Sequence, residues 1–377
     1  MKQRFYSLDV FRGATVAFMI LVNNPGSWSY IYAPLEHAPW HGCTPTDLVF
    51  PFFLFAVGNA MAFVMPRLRD AGDGAFLKKV FTRTLLIFGI GLFLNWFPFF
   101  KWSGDHLVFK SWTVPAVPGR EPGGIRILGV LQRIALAYCF ASLIIYYGKI
   151  RVALATGAVV LLGYWAVCLL AGAPGDPYSL QGYFGTAVDK AVLGAAHMYK
   201  GEGVAFDPEG LASTLPAVVQ VIFGYLVGHY ILQKGKTYEM IASLFVVGCV
   251  FIFTGFCWDM LFPINKKIWS SSFVVYTTGL AILVLCVLMY VIEMREIRGW
   301  WSKFFDVFGK NALFVFMISG ILPRLYGLFR VSGWMYDHVF SPAFGFMNGS
   351  LLDAVFTVVT FWLLAYLLDR KKIYIKV

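Results

Sequence analysis

Residues 271–294 read SSFVVYTTGLAILVLCVLMYVIEM, a stretch whose single charged side chain is Glu293. About 20 mainly apolar residues suffice to cross the hydrocarbon core of a bilayer as an α-helix. Similar stretches recur along the chain, so the sequence predicts an all-α polytopic membrane protein with about ten transmembrane helices. The predicted spans are residues 8–23, 46–65, 77–96, 125–147, 151–171, 211–232, 238–261, 271–294, 307–325 and 350–368.

The composition excludes an ordinary soluble protein. Hydrophobic residues make up 59% of the 377 residues and charged residues 14%, whereas soluble domains average about 25% charged residues. The net charge of +11 is dispersed in short clusters between apolar runs, which indicates membrane topology rather than nucleic-acid binding. The cysteines lack metal-site spacing, and no metalloprotease, esterase, P-loop or dinucleotide motif occurs, so no metal is expected.

The basic residues predict the orientation of the helices. Lysines and arginines cluster at 67–83 and at 370–372. Under the positive-inside rule, ten helices then leave both termini in the cytoplasm. The longer loops fall on the far side, and irregular backbone there is where a substrate site is expected. No repeat or long linker divides the chain, so residues 1–377 are predicted to form one domain among membrane lipids; a homodimer is left open.

The first far-side loop places His37 shortly before Asp47. Histidine is the natural general base near neutral pH. Asp47 suits the role of a carboxylate that orients the imidazole, although it equally suits a cap at the start of the next helix.

Three cations fall within predicted helices, where charges are costly and therefore often functional. Arg12 has Asp9 one turn earlier, Arg133 has no partner that can be chosen from sequence, and Lys310 with Asn311 begins the ninth span. Placed near the inner surface, these residues could bind the phosphates of a nucleotide cofactor or lipid head groups. An internal ion pair is the plainer interpretation of Arg12.

Two far-side segments could bind a substrate. Asp207 and Glu209 precede the sixth helix, where they either cap it or bind the hydroxyls and amine of a sugar. Asn265, Lys266 and Trp269 lie between two helices on the same side. Lysines are unusual there under the positive-inside rule, which favours a role in binding.

Several short motifs, in order, resemble one known family. They are SLDVFRG (7–13), HAPW (37–40), DLVFP (47–51), GVLQR (129–133), DPEG (207–210), NK (265–266) with WS (269–270), and RKKI (370–373). The chain is similar through them, over nearly its full length, to the transmembrane acetyltransferases typified by heparan-α-glucosaminide N-acetyltransferase.

This resemblance implies an acetyl-CoA-dependent acyltransferase, with acetyl-CoA as co-substrate on the cytoplasmic side and an amino-sugar acceptor on the other side. It implies that His37 is the catalytic histidine and that Asn23 assists it; Asp47 and Glu209 fall on shared motif positions. A compact bacterial protein of the inner membrane is expected, with glucosamine or a terminal glucosaminide as acceptor.

The proposed chemistry leaves two routes open. In direct transfer, His37 takes a proton from the attacking amine while Asn23 or a backbone group stabilises the oxyanion. In the other route His37 carries the acetyl group and the kinetics are ping-pong. Two other functions also remain, namely O-acetylation of a cell-envelope glycan and secondary transport of a sugar.

Overall fold

The computed structural model describes residues 5–116, 122–331 and 333–375. These residues are mainly helical, and the two short antiparallel hairpins among them lie in one predicted loop. The α-helices are α1 Tyr6–Asn23, α2 Val49–Asp70, α3 Asp73–Trp96, α4 Val130–Ala171, α5 Gly185–Leu193, α6 Leu211–Lys234, α7 Tyr238–Asp259, α8 Ser271–Met289, α9 Trp300–Lys310, α10 Ala312–Leu328, α11 Ser341–Phe344 and α12 Phe346–Arg370. The strands are β1 Phe100–Ser103, β2 His106–Phe109, β3 Thr113–Val114 and β4 Gly123–Gly124.

Long apolar helices dominate the described residues. Six helical segments among them are long and apolar enough to span a membrane, and a seventh is obtained if α9 and α10 are taken as one bent span. The expectation of an all-α, multi-pass membrane protein is therefore confirmed. The count of ten crossings and the cytoplasmic position of the termini stay predictions.

Helix α4 corresponds to two predicted spans. Its 42 residues break at Lys149, whose backbone is not helical. A straight helix of that length would measure about 63 Å, twice the hydrocarbon thickness. Both ends instead approach the loop before α8, since Arg133 lies over the ring of Trp269 and the Tyr164 hydroxyl donates to the carbonyl of Ile268. The two halves therefore run out and back.

The predicted span 307–325 is wrong as a single straight helix. The chain bends by 80° between α9 and α10. Asn311 occupies the bend, where its side chain donates to the carbonyl of Ile373 (3.1 Å) and accepts from the backbone N–H of Ile375 (2.9 Å). These bonds to the C-terminal segment hold the break, and local hydrophobicity gives no sign of them.

Several apolar cores hold the described helices together, and one of them joins α1 to α2, α6, α7 and α8. Two other cores define two groups of helices that meet at one boundary. One core joins α2, α3, α4, α6 and α8, and it includes Leu54, Val221 and Phe273. A second core joins α1, α9, α10 and α12 around Val16, Phe308 and Val315. The boundary between α1 and α10 on one side and α3 and α4 on the other therefore lies between two packed groups, where a cavity can persist.

Candidate active site

The loop between α1 and α2 carries His37. Two short 3-10 turns, Ala33–Leu35 and Pro45–Leu48, shape it, and each includes a proline near its start. Proline suits a first helical position because its missing N–H would have no partner there. The side chain of His37 is 44% exposed, so a molecule arriving at this end of the helices can reach the imidazole.

Asp47 bonds to different partners with its two carboxylate oxygens. Its Oδ1 lies 2.6 Å from Nδ1 of His37. Its Oδ2 accepts from the backbone N–H groups of Ala38 (3.0 Å) and Thr44 (3.1 Å). The carboxylate is therefore anchored to the loop while it orients the imidazole.

The surroundings of Asp47 stabilise its charged form. The hydrogen bond with His37, the ammonium group of Lys266 and the backbone N–H groups of the loop all favour a negative charge on this carboxylate. An anion at this position is what favours a proton on Nδ1.

The segment before α8 packs against the loop that carries His37. Gly42 donates its backbone N–H to the carbonyl of Ile264 (2.7 Å), which ties the two loops together. Lys266 Nζ then lies 3.2 Å from Nδ1 of His37 and 3.3 Å from Oδ1 of Asp47. The structure thus brings Lys266, which the sequence assigned to substrate binding, to His37 and Asp47, which it assigned to catalysis.

Asp207 and Glu209 are held by an arginine that the sequence reasoning missed. Arg126 Nε donates to Asp207 Oδ2 (3.1 Å), and its Nη2 pairs with Asp207 and Glu209. The guanidinium also lies over the ring of Tyr199. The available signal was a basic residue three positions before the motif GVLQR (129–133).

The sequence placed Arg133, Arg12 and Lys310 near one surface, but the structure places Arg133 at the other end of the helices. Its side chain is fully buried at the opposite end, where it donates to Ser213 Oγ and, at 3.3 Å, to the carbonyl of Gly210. The reason is that Arg133 stands in the first turn of α4, and that turn packs against the start of α6. The structure therefore does not bring Arg133 together with Arg12 and Lys310, and its role in cofactor binding stays a prediction.

Three of the predicted substrate-binding side chains are buried. Asp207, Asn265 and Trp269 are each at most 1% exposed. Asn265 accepts with Oδ1 from the backbone N–H groups of Lys267 (2.7 Å) and Ile268 (3.0 Å), so it shapes the loop that carries Lys266. Of the predicted set, Glu209 and Lys266 keep partial exposure, at 12% and 22% of their side chains.

A cavity of about 500 Å³ lies at the boundary of the two helix groups. It has a mixed lining in which amides and guanidinium groups recur. Its polar residues are Asn23, Asn24, Asn95, Arg126, Gln132, Ser319 and Arg324. Asn23 therefore faces this cavity, and Arg126 connects the cavity to Glu209.

The other end of α1 holds a smaller cavity of about 210 Å³ beside Arg12 and Asn59. Arg12 pairs with Asp9 (2.8 Å) and donates to the carbonyl of Gly309 (2.8 Å), so the predicted ion pair is present. Lys310 pairs with two carboxylates, Asp306 (2.7 Å) and Asp369 (3.1 Å). With Asn311 engaged by residues 373–375, Arg12 is the best placed of the predicted cofactor ligands.

Comparison with known proteins supplies relatives of this chain. No protein-family model matches it. Heparan-alpha-glucosaminide N-acetyltransferase of Homo sapiens is 24% identical over 427 aligned positions, which cover 99% of this chain and 60% of the human protein. The Mus musculus protein of the same name is 22% identical with the same coverage. The chain spans about three fifths of the length of these relatives. The resemblance to heparan-alpha-glucosaminide N-acetyltransferases that its motifs predicted is thereby confirmed.

Proposed function

We propose that this protein is a membrane acetyltransferase of the bacterial inner membrane, which moves the acetyl group of cytoplasmic acetyl-CoA to an amino sugar on the periplasmic side. The amine of glucosamine or of a terminal glucosaminide is the proposed acceptor. The homology to N-acetyltransferases supports the reaction class. The hydrogen bond of 2.6 Å between His37 and Asp47 is the observation that carries the proposal.

The pair supports a specific use of the imidazole. Because Asp47 occupies the Nδ1 side of His37, Nε2 is left to accept a proton from the attacking amine. The amine nitrogen bonds to the thioester carbon, the tetrahedral intermediate collapses with cleavage of the carbon–sulfur bond, and the proton on His37 passes to the departing thiolate. The products are the N-acetyl sugar and CoA.

The positions of Arg12 and Asn23 support a donor that enters from the opposite end. They are 11 residues apart on α1, which is about 16 Å along the axis and about three turns, so they share one face. Each lines a cavity. In this proposal Arg12 binds a phosphate of the donor, the pantetheine arm follows this face of α1, and Asn23 lies near the thioester.

Val16, which lies between the two cavities on that face, is fully buried. Donor binding in this mechanism therefore requires α1 to separate locally from its neighbours. An amide at Asn23 has an N–H group that suits the oxyanion of the tetrahedral intermediate. The ping-pong route through an acetylated His37 uses the same residues and is distinguished by its kinetics.

Thiol release from acetyl-CoA with glucosamine as acceptor tests the proposal. Purified protein in detergent is compared with His37→Ala, after thermal unfolding has established that both are folded. We expect acceptor-dependent release in the wild type and a loss of at least a hundredfold in the variant. Release with N-blocked sugars instead would redirect the proposal to O-acetylation, and no release with any amine or alcohol from folded protein would refute acetyl transfer.

A further inference from the structure

One carboxylate oxygen of Asp47 contacts both a histidine and a lysine. Asp47 Oδ1 is 2.6 Å from His37 Nδ1 and 3.3 Å from Lys266 Nζ, and that Nζ is 3.2 Å from the same ring nitrogen. A histidine and a carboxylate would suffice to orient the ring. The lysine is an additional cation placed directly beside the base.

Lys266 is fixed in this position by its backbone. Asn265 on one side donates its N–H to Ser270 Oγ (3.0 Å), and its side chain accepts from the two residues that follow Lys266. Lys267 on the other side donates to the carbonyl of Pro39 (2.8 Å) in the His37 loop. Hydrogen bonds within and between the two loops therefore hold the ammonium group of Lys266 beside His37.

The charges around His37 have opposite effects on protonation of its imidazole. Asp47 favours a positive imidazole, whereas Lys266 disfavours it. Burial lowers the pKa of Lys266, and the negative charges of Asp47 and Glu209 offset part of that effect. Cys43 stays a neutral thiol because burial raises its pKa to about 12, and His41 faces the side chain of Asn265 at 3.3 Å.

We propose that Lys266 is a positioning residue that keeps His37 neutral and ready to accept a proton, by sharing Asp47 Oδ1 with the imidazole and disfavouring a second positive charge beside it. The inference rests on the proposed acetyl transfer for its catalytic meaning. The effect of Lys266 on protonation of the His37 imidazole can be measured without any substrate.

Lys266→Met removes the cation and leaves a chain of similar length. We expect the acid limb of the pH profile of kcat to move upward by about one pH unit, so that kcat falls about tenfold on the acid side and recovers in alkaline solution. Lys266→Arg retains the charge and restores the wild-type profile. Lys190→Met is the matched control, since Lys190 is an exposed lysine of α5 outside the two loops that carry His37 and Lys266.

A second readout separates this inference from the proposed function. The rate at which diethyl pyrocarbonate modifies His37 is followed against pH, with His37→Ala subtracted to remove the other histidines. The midpoint should rise in Lys266→Met and stay unchanged in Lys190→Met, even if no acceptor is ever acetylated. An unchanged midpoint, or a higher KM for the acceptor without any change in the pH profile, would overturn the inference and make Lys266 a substrate contact.

Discussion

Gly13 of α1 and Gly309 of α9 meet backbone to backbone. A methyl group on Gly13 would overlap the carbonyl of Phe305, and one on Gly309 would overlap the carbonyl of Asp9. Small residues are what allow membrane helices to approach this closely. Arg12 donates to the carbonyl of Gly309. The crossing therefore also fixes Arg12, a predicted cofactor ligand, beside the cavity of about 210 Å³.

Gly13→Ala should therefore lower stability through overpacking. We expect a loss of about 2 kcal/mol or more, because the overlapping atoms belong to backbone and cannot rotate away. The apparent melting temperature in detergent measures it. Gly89→Ala in α3 is the control, since no neighbouring atom lies within 4 Å of a methyl group there; equal melting temperatures for the two variants would contradict the close crossing.

Asp47→Asn should impair the reaction more than it impairs the fold. The amide keeps the volume, but it no longer favours a proton on Nδ1 of His37, and we expect kcat to fall by about 10² to 10⁴ with little change in KM. Steady-state kinetics of acetyl transfer measure this. Asp105→Asn, at a side chain that is 93% exposed, should behave as wild type, and a fully active Asp47→Asn would remove the orienting role.

Asp189 should make stability depend on pH. It is buried, and its Oδ1 accepts from the backbone N–H of Leu211 at the start of α6 (2.8 Å). Burial, aided by the charge of Asp207, raises the pKa of Asp189 to about 6. A carboxyl whose pKa is raised on folding stabilises the protein below the unfolded pKa of about 4, and this contribution disappears as the pH rises through 6.

Relative to Asp189→Asn, the wild type should therefore lose about 2 kcal/mol between pH 4 and pH 7. Melting temperatures of both proteins across this range provide the measurement, and the difference between them cancels titration elsewhere. Parallel curves would show that Asp189 is not buried as a neutral acid near pH 5.

Local hydrophobicity sufficed to predict most of the helices. A helix that crosses the bilayer needs about 20 mainly apolar residues, and this requirement does not depend on the helices packed against it. The boundary at Asn23 and the start of α6 at Leu211 agree with the prediction. The break at Asn311 could not be predicted in this way, since its side chain is held by residues more than 60 positions later.

The site was predicted unevenly for the same reason. His37 and Asp47 lie ten residues apart in one loop, so their pairing follows from sequence proximity. Lys266 reaches them from 229 residues away, and Arg126 reaches Glu209 across 83. The packing of α2, α4, α6 and α8 brings these groups together, and no spacing in the sequence predicts that packing.

Asn23→Ala should slow the chemical step without disturbing the imidazole. If Asn23 donates to the oxyanion, its loss should lower kcat by about 10² or more, while modification of His37 by diethyl pyrocarbonate keeps its wild-type dependence on pH. Asn24→Ala is the matched control, because the Asn24 side chain donates to the carbonyl of Ile20 in its own helix (2.8 Å). Equal effects of the two substitutions would assign Asn23 to the cavity wall and not to the reaction.

Arg12→Gln should weaken binding of the donor and spare the acceptor. Loss of a charge-assisted contact to a phosphate costs about 1.5–3 kcal/mol, so the KM for acetyl-CoA should rise at least tenfold while the KM for the amine stays unchanged. Acetyl pantetheine, which lacks the nucleotide, should react with wild type and variant alike. Lys303→Gln, at an exposed cation paired with Asp369 (2.6 Å) at the same end, controls for general charge. If the variant instead unfolds at lower temperature with an unchanged KM for acetyl-CoA, Arg12 serves the ion pair with Asp9 and the donor phosphates bind elsewhere.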